Sequence, residues 1–444
     1  MLRLILVGLL AALGAGAVEL GEGSWQKLSS TKGLPSGFSA ADAEEINEEL
    51  WRRYVQQVTS DPIRVKEHSE RKINYNGKTM HFHYEVVGKP VDGPMPLYIA
   101  LHGGGGGPAR MNDGQYNHMK RYYLPTVKRG IYCATRGVTN TWNLHFQPES
   151  YVCYDRLIEN MIAFEGVDPN RVYIMGFSAG GDGVYQLAPR MADRWGAAAM
   201  SAGHPNGVNP RNNYNLPLLL QCGERDAAYD RNKQAVKYFQ RVKKLRDSEG
   251  KGYLNELFLH AGRPHNFYDH HPQQKPQAIL ADPVAWMTNK DRKSFTRNTS
   301  SIAWLDQHVR QAQPKRVIWD RTTGADRTAK GFQNPPTRGQ QHYWLDTSGM
   351  SVDKEEIVAR LEPKQNLIAL ETLGQGVRLL LNDKMLDLDK PVRVSLDGTV
   401  REVRVKRSVA NLMRTMAQRG DYEQAYPAAI VAKRGAGVLI LKAE

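Results

Sequence analysis

Short apolar runs alternate with amphipathic segments through the middle of the chain. Alternating strands and helices favour a mostly parallel sheet with helices on both faces and ligand-binding loops at the carboxyl ends of its strands. The predicted strands are Leu97–Leu101, Ile131–Thr135, Val172–Met175, Ala197–Ser201, Leu216–Cys222 and Leu254–His260. The predicted helices lie near residues 110–122, 150–165, 179–193 and 230–246.

A helix and a hairpin precede this region. The helix is predicted over residues 39–55, with Ser39 as its cap and an apolar stripe that we expect to pack on the catalytic domain. Asn76-Gly77 between two β-prone runs predicts a tight hairpin over residues 72–87. His81 and His83 share one face of its second strand, but no third ligand accompanies them, so we interpret them as structural and predict no metal site.

The pattern changes after about residue 315, where short strands and turns are predicted before a helix at 409–419. The region reads as a small β-rich accessory domain that binds polymer, supports a homodimer or braces its neighbour. Trp319 and Trp344 suit either a carbohydrate platform or, more commonly, a buried core. The predicted division is a signal peptide at 1–17, an N-terminal extension at 18–70, a catalytic domain at 71–312 and the accessory domain at 313–444.

Residues 1–17 have the pattern of a secretory signal peptide. Arg3 precedes an apolar run that ends in Ala15-Gly-Ala17, which predicts cleavage after Ala17 and a secreted or periplasmic protein. No other apolar run approaches the length of about 18–20 residues that a membrane span needs, so no stable membrane insertion is expected.

Composition adds little to this picture. The 444 residues carry a net charge of +14, but the basic residues are scattered and no zinc-finger or RNA-recognition motif is present, so no nucleic-acid partner is expected. There are three cysteines. Cys222 fits a buried strand, whereas Cys133 and Cys153 are a candidate disulfide in an exported protein.

The segment from Arg171 to Gly181 carries the strongest chemical signal. Its Gly-Phe-Ser-Ala-Gly stretch follows a strand and precedes a helix, as a nucleophile elbow requires. Ser178 is the candidate nucleophile. Gly176 and Gly180 leave room for a sharp turn, and the N–H of Ala179 is a candidate oxyanion donor.

A second glycine-rich segment follows the first predicted strand of the sheet. His102 precedes five glycines, Gly103 to Gly107, which matches a loop whose backbone N–H completes an oxyanion hole. Gly103 and Gly104 are the candidate donors. A phosphate-binding loop would continue with Gly-Lys-Ser or Gly-Lys-Thr, and this chain continues with Gly-Pro-Ala.

The remaining catalytic candidates follow two later strands. Asp226 is the preferred acid, with Glu224 and Asp230 as alternatives. His265 is the preferred base, because it follows the acid in the chain order Ser, Asp, His. His260 and the pair His270-His271 are alternatives.

Aromatic and polar side chains in other loops are candidates for contact with a substrate. They are His102, Trp142, His145 and Phe146, with weaker candidates at residues 112–116 and 204–206.

Taken together, the glycine loop, the block Asp168–Gly181, the turn Cys222–Asp226 and the turn Arg263–Phe267 resemble the α/β-hydrolase superfamily. Within it they are similar to secreted polyhydroxybutyrate-depolymerase-like, feruloyl and acetylxylan esterases. The resemblance covers about residues 70–310 and implies an α/β-hydrolase fold. The extra C-terminal region departs from simple members of that group.

We therefore predict an exported serine hydrolase that cleaves carboxylic esters, with acylated polysaccharide or polyester as candidate substrates. It needs no metal or other cofactor. Two alternatives stay open: an exported serine peptidase of the same fold, and a noncatalytic protein that binds polysaccharide or acts as a scaffold.

Overall fold

The computed structural model describes residues 29–30, 33–89, 93–267, 269, 276–298, 300–321, 340–350, 356–435 and 438–444. The predicted signal peptide and His270-His271 lie outside the described residues. No helix within these ranges is long and apolar enough to cross a bilayer.

A ten-stranded sheet forms the centre of the molecule, with the strand order β1-β2-β4-β3-β5-β6-β7-β8-β9-β10. The strands from β4 to β8 in that order are parallel, and antiparallel strands flank them on both sides. The strands are β1 Lys72–Tyr75, β2 Lys78–Val87, β3 Met95–Leu101, β4 Gly130–Thr135, β5 Val167–Phe177, β6 Ala197–Ser201, β7 Leu218–Gly223, β8 Asn255–His260, β9 Gln277–Leu280 and β10 Ser294–Arg297.

Helices connect and cover these strands, so the predicted α/β-hydrolase architecture is confirmed. They are α1 Ala40–Ser60, α2 Pro62–Ser69, α3 Ala109–Tyr122, α4 Pro148–Glu165, α5 Ala179–Arg190, α6 Arg231–Glu249, α7 Pro283–Met287 and α8 Ser301–Leu305.

Both faces of the sheet are buried. On β3, Leu97, Ile99 and Leu101 belong to one apolar cluster, while Tyr98 and Ala100 belong to another. Successive side chains of a strand point to opposite faces, so this alternation places a core on each side.

The N-terminal predictions are confirmed in outline. Asn76 and Gly77 both have positive φ, at 48° and 73°, in the tight turn between β1 and β2. Helix α1 begins with a capping box between Ser39 and Asp42. Its apolar face packs on the helix Pro148–Glu165 of the α/β region, as expected, and also on the C-terminal helix Val409–Arg419.

The described residues of the C-terminal region form two five-stranded sheets and one further helix, which confirms the predicted β-rich character. The two sheets have the orders β11-β14-β15-β17-β18 and β12-β13-β16-β19-β20. Their strands are β11 Arg316–Asp320, β12 Gln341–His342, β13 Leu345–Asp346, β14 Glu356–Glu362, β15 Leu367–Thr372, β16 Gly376–Leu381, β17 Val392–Leu396, β18 Thr399–Val403, β19 Ala428–Gly435 and β20 Val438–Ala443; the helix is α9 Val409–Arg419. Trp319 and Trp344 are buried in the core of this region.

Buried ion pairs connect the C-terminal region to α4 and to the segments that follow α5 and α8. Asp421 forms an ion pair with Arg310 at 2.8 Å and lies 3.7 Å from Arg194. Arg419 pairs with Asp193 at 2.5 Å, and Arg194 also pairs with Asp155 at 2.7 Å. We refer to Asp155, Asp193, Arg194, Arg310, Arg419 and Asp421 as the buried ionic cluster.

The candidate disulfide between Cys133 and Cys153 is not formed. Both thiols are free and buried, as is that of Cys222. Burial raises the pKa of Cys153 to about 12, so its reactive thiolate form is suppressed at neutral pH.

Candidate active site

A strained turn places Ser178 between β5 and α5. Its backbone has φ 58° and ψ −120°, an unfavourable conformation for a residue with a side chain. The turn closes only because two flanking positions lack a Cβ. A Cβ on Gly180 would collide with the carbonyl oxygen of Leu101, and one on Gly176 would collide with that of Gly180.

Three of the predicted residues meet at the carboxyl ends of the strands. His265 Nε2 lies 3.0 Å from Ser178 Oγ, and His265 Nδ1 lies 2.8 Å from Asp226 Oδ2. Asp226 is buried, whereas the His265 side chain is one-third exposed. The arrangement therefore has a hydroxyl reachable from solvent, an imidazole in contact with it and a buried carboxylate behind the imidazole.

The alternative acids and the alternative base near the site have other partners. Glu224 accepts hydrogen bonds from Gly262 N at 2.6 Å and Trp286 Nε1 at 3.0 Å, and it also pairs with Arg292. Asp230 is exposed. His260 is buried between Gln221 and Gln277. Glu224 thus anchors the start of the His265 loop and does not contact the imidazole.

The glycine-rich loop lies beside the nucleophile. A Cβ on Gly103 would be 3.3 Å from Ser178 Cβ, so the backbone passes close to the hydroxyl. Asn112 holds the loop in place: its Oδ1 accepts from Gly105 N at 2.7 Å, and its side chain is fully buried. Gly104 has φ 108°, and a Cβ there would crowd the Asn112 amide.

The hypothesis of substrate contact requires exposed side chains at the site, and it fails for His102, His145 and Phe146. Their side chains are buried beneath the glycine loop and the loop after β4, so they cannot touch a substrate in this conformation. Trp142 differs, because 49% of its surface is exposed and its ring stands edge-on to Phe146.

The two buried histidines act as internal braces. His102 Nε2 accepts from Gly137 N at 3.2 Å, so its Nδ1–H donates to Gly103 O at 2.5 Å. His145 Nε2–H donates to His102 O at 2.8 Å, and its Nδ1 accepts from Tyr154 Oη. These bonds require the His102 ring to be neutral, and burial lowers the pKa of His145 well below its usual value, which keeps that ring neutral as well.

We expect His102 to make the fold sensitive to acid. Burial lowers the pKa of His102 to about 4, whereas an unfolded histidine titrates near pH 6.5. The unfolded chain therefore binds the additional proton first, and stability falls as the pH drops from about 6.5 to 4. The loss for His102 alone is about 2 kcal/mol at pH 5. Urea unfolding at pH 7.5 and pH 5 measures it, and His102→Gln should show a smaller drop than the native chain.

His118→Gln provides the matched control, since His118 is exposed on α3. That variant should lose as much stability on acidification as the native chain. An equal loss in His102→Gln would contradict the assignment.

An aromatic wall borders the histidine. Phe177 lies 5.3 Å from the His265 ring and 5.9 Å from the Phe267 ring, with Tyr122 next to it at 5.7 Å. Phe177 and Phe267 adjoin catalytic candidates in the sequence, and that adjacency is the only signal that could have identified them. Tyr122 ends a helix, and only the tertiary structure brings it here.

The described residues contain no group of three or more histidine, cysteine, aspartate or glutamate side chains that could hold a metal ion. His83, one of the two histidines on β2, instead contacts Glu85 at 2.9 Å.

Residues 137–297 match the dienelactone hydrolase family, which supports a hydrolase that acts on esters. The match covers the elbow, the acid and the histidine. No curated protein matches the chain.

Several solved structures are similar to part of the chain. A thermostable esterase is 18% identical with a TM-score of 0.37, over 54% of this chain and 62% of that protein, less than two thirds of its length. The poly(3-hydroxybutyrate) depolymerase of Bordetella parapertussis is 16% identical with a TM-score of 0.34, over 44% of this chain and 83% of that protein. Est1E of Butyrivibrio proteoclasticus is 14% identical with a TM-score of 0.29, over 45% of this chain and 91% of that protein.

Proposed function

We propose that the protein is an exported carboxylic ester hydrolase that uses Ser178 as a nucleophile. The observation that carries the proposal is the continuous hydrogen-bonded line from Ser178 Oγ through His265 to Asp226, at 3.0 Å and 2.8 Å. A serine hydroxyl is a weak nucleophile unless an adjacent base accepts its proton, and this line supplies that base.

The proposed reaction has two steps. Ser178 Oγ attacks the ester carbonyl while His265 Nε2 takes its proton, and Asp226 stabilises the imidazolium through Nδ1–H. His265 then gives the proton to the leaving alcohol. Water then attacks the acyl carbonyl while His265 takes one of its protons. The bond between the acyl group and Ser178 Oγ breaks, His265 returns the proton to Oγ, and the acid is released.

Charge on the carbonyl oxygen needs donors beside Ser178. The N–H of Ala179, at the start of α5, and that of Gly103 or Gly104 are the proposed donors. Ala179 N–H benefits from the positive end of the helix, and Asn112 keeps the glycine loop against the nucleophile.

Export rests on the signal-peptide pattern of residues 1–17. Acylated polysaccharide and polyester stay candidate substrates, and homodimer formation stays a prediction.

A fluorophosphonate probe tests the proposal. Intact mass of the signal-free protein should increase by one adduct, peptide mapping should locate the adduct on Ser178, and p-nitrophenyl acetate should be hydrolysed in parallel. Labelling together with cleavage of peptides but not of esters would favour the peptidase. Absence of labelling would contradict an assembled catalytic serine and favour the binding protein.

A further inference from the structure

The loop after β7 carries the candidate acid and, three residues later, an exposed aromatic ring. Tyr229 is 78% exposed, the highest value for any large hydrophobic side chain in the described part of the chain. A ring that projects into solvent buries little apolar area, so packing gives little reason for an aromatic residue at this position.

The backbone conformation of Tyr229 and Asp230 is a second feature that folding alone does not explain. Tyr229 has φ 56° and ψ 23°, and Asp230 has φ 54° and ψ 28°. Two consecutive residues other than glycine are thus held in the left-handed region, which is unfavourable for a bulky side chain. Strain of this kind persists where something other than local stability maintains it, and it concentrates at functional sites.

Arg231 fixes the orientation of the exposed ring. Its guanidinium carbon lies 4.8 Å from the centre of the Tyr229 ring. The same guanidinium donates to Ala228 O at 3.3 Å and lies 4.0 Å from Asp226 Oδ1. One face of the ring is therefore occupied by a cation that also approaches the candidate acid, while the high exposure leaves area for a ligand.

The strand order locates this ring relative to the nucleophile. β7 is two strands from β5, with β6 between them, so the loop that carries Tyr229 starts roughly 10 Å from the elbow at about 4.8 Å per strand. β8, which precedes the His265 loop, lies next to β7. Trp142 is on the other side, in the loop after β4.

The chemistry of the proposed reaction distinguishes these two sides. His265 Nε2 protonates the leaving alcohol, so the alcohol part of the ester lies toward the histidine and the strands β7 and β8. Tyr229 is on that side. Aromatic faces stack on flat rings, whether aryl groups or sugars.

We propose that Tyr229, supported by Arg231, binds a ring in the alcohol part of the ester and so selects ring-bearing alcohols. The inference rests on the proposed function, because it assigns a specificity residue to the same site. Tyr229 contacts the substrate in this proposal but takes no part in proton transfer.

Acetates of different alcohols test the proposal. Ethyl acetate lacks a ring, whereas benzyl acetate carries an aryl ring and methyl 6-O-acetyl-α-D-glucopyranoside carries a sugar ring. The native enzyme should prefer at least one ring-bearing acetate over ethyl acetate in kcat/KM. Tyr229→Ala should lower that preference about 5- to 10-fold, mainly through KM, and Tyr229→Phe should keep it. The ring whose preference falls identifies the ligand as aryl or sugar.

A glycine variant separates binding from folding. Tyr229→Gly should raise Tm, because glycine adopts positive φ without strain, and should lower the preference as Tyr229→Ala does. A lower Tm would show that the Tyr229 ring stabilises the fold, and it would overturn the claim that the strained position is maintained for substrate binding. Tyr75→Ala removes an exposed ring on the distant strand β1 and should change neither quantity.

Two failures can be told apart. Unchanged preference in Tyr229→Ala, or no preference for either ring in the native enzyme, overturns the role of Tyr229 while ethyl acetate is still hydrolysed. Loss of hydrolysis of all three acetates by the native enzyme would overturn the proposed function itself, and the inference with it.

Discussion

Ser178→Ala should lower kcat for p-nitrophenyl acetate by about 10⁴- to 10⁶-fold. The substitution removes the oxygen that lies 3.0 Å from His265 Nε2 and leaves no group that can form an acyl-enzyme. Because alanine meets the same backbone strain at φ 58°, the free energy of unfolding should change by less than about 0.5 kcal/mol. Turnover and urea unfolding measured on one preparation check both statements.

The proposed catalytic residues should also behave as a unit. The double variant Ser178→Ala with His265→Ala should lose no more activity than Ser178→Ala alone, because every proton that His265 moves belongs to a route through the acyl-serine, which cannot form without Ser178 Oγ. Ser248→Ala, at an exposed position on α6, should keep native turnover. Near-native turnover in Ser178→Ala would refute the assignment of the nucleophile.

Asp421→Ala should lower the free energy of unfolding by about 3–5 kcal/mol. Asp421 has no exposed surface and faces two arginines, Arg310 at 2.8 Å and Arg194 at 3.7 Å, whose side chains are also buried. Its removal leaves the buried ionic cluster with more positive than negative charge in a region that water cannot reach. Urea unfolding of the native and variant chains measures the difference.

An exposed ion pair is the matched control for this prediction. Asp397 pairs with Arg434 at 2.6 Å in the same region, and both side chains are well exposed. Asp397→Ala should cost less than about 1 kcal/mol, because solvent screens the pair. An equally small loss of stability in Asp421→Ala would contradict a stabilising role of the buried ionic cluster.

Local rules account for the part of the fold that could be predicted. The alternation of apolar runs and amphipathic segments identifies the strands of the central sheet because each pattern reflects a short-range periodicity. Asn76-Gly77 specifies its turn since both residues tolerate positive φ. Ser178, Asp226 and His265 could be expected to meet, because the carboxyl ends of parallel strands share one edge of a sheet.

Which side chains face the site depended on long-range packing. Glu224 and Asp226 occupy the same turn. Glu224 accepts hydrogen bonds from Gly262 and Trp286, whereas Asp226 is hydrogen-bonded to His265. Nothing within the turn specifies this choice, because the partners come from other loops.

Burial was the other property that the sequence left open. The sequence places His102 beside the predicted oxyanion loop, as a residue that could contact substrate. In the structure the loop after β4 covers His102, and the neutral ring accepts a hydrogen bond from Gly137 N of that loop. The sequence alone left open whether Cys133 and Cys153 pair, and the structure places both thiols in the core as free cysteines.

The sequence by itself determined the order of strands and helices and the sharp turn at Ser178, since neighbouring residues impose both. Only the tertiary structure decided the partners of Glu224, the burial of His102 and the ionic cluster around Asp421. Each of those depends on the direction of a side chain toward atoms that the chain brings close only when the whole fold packs.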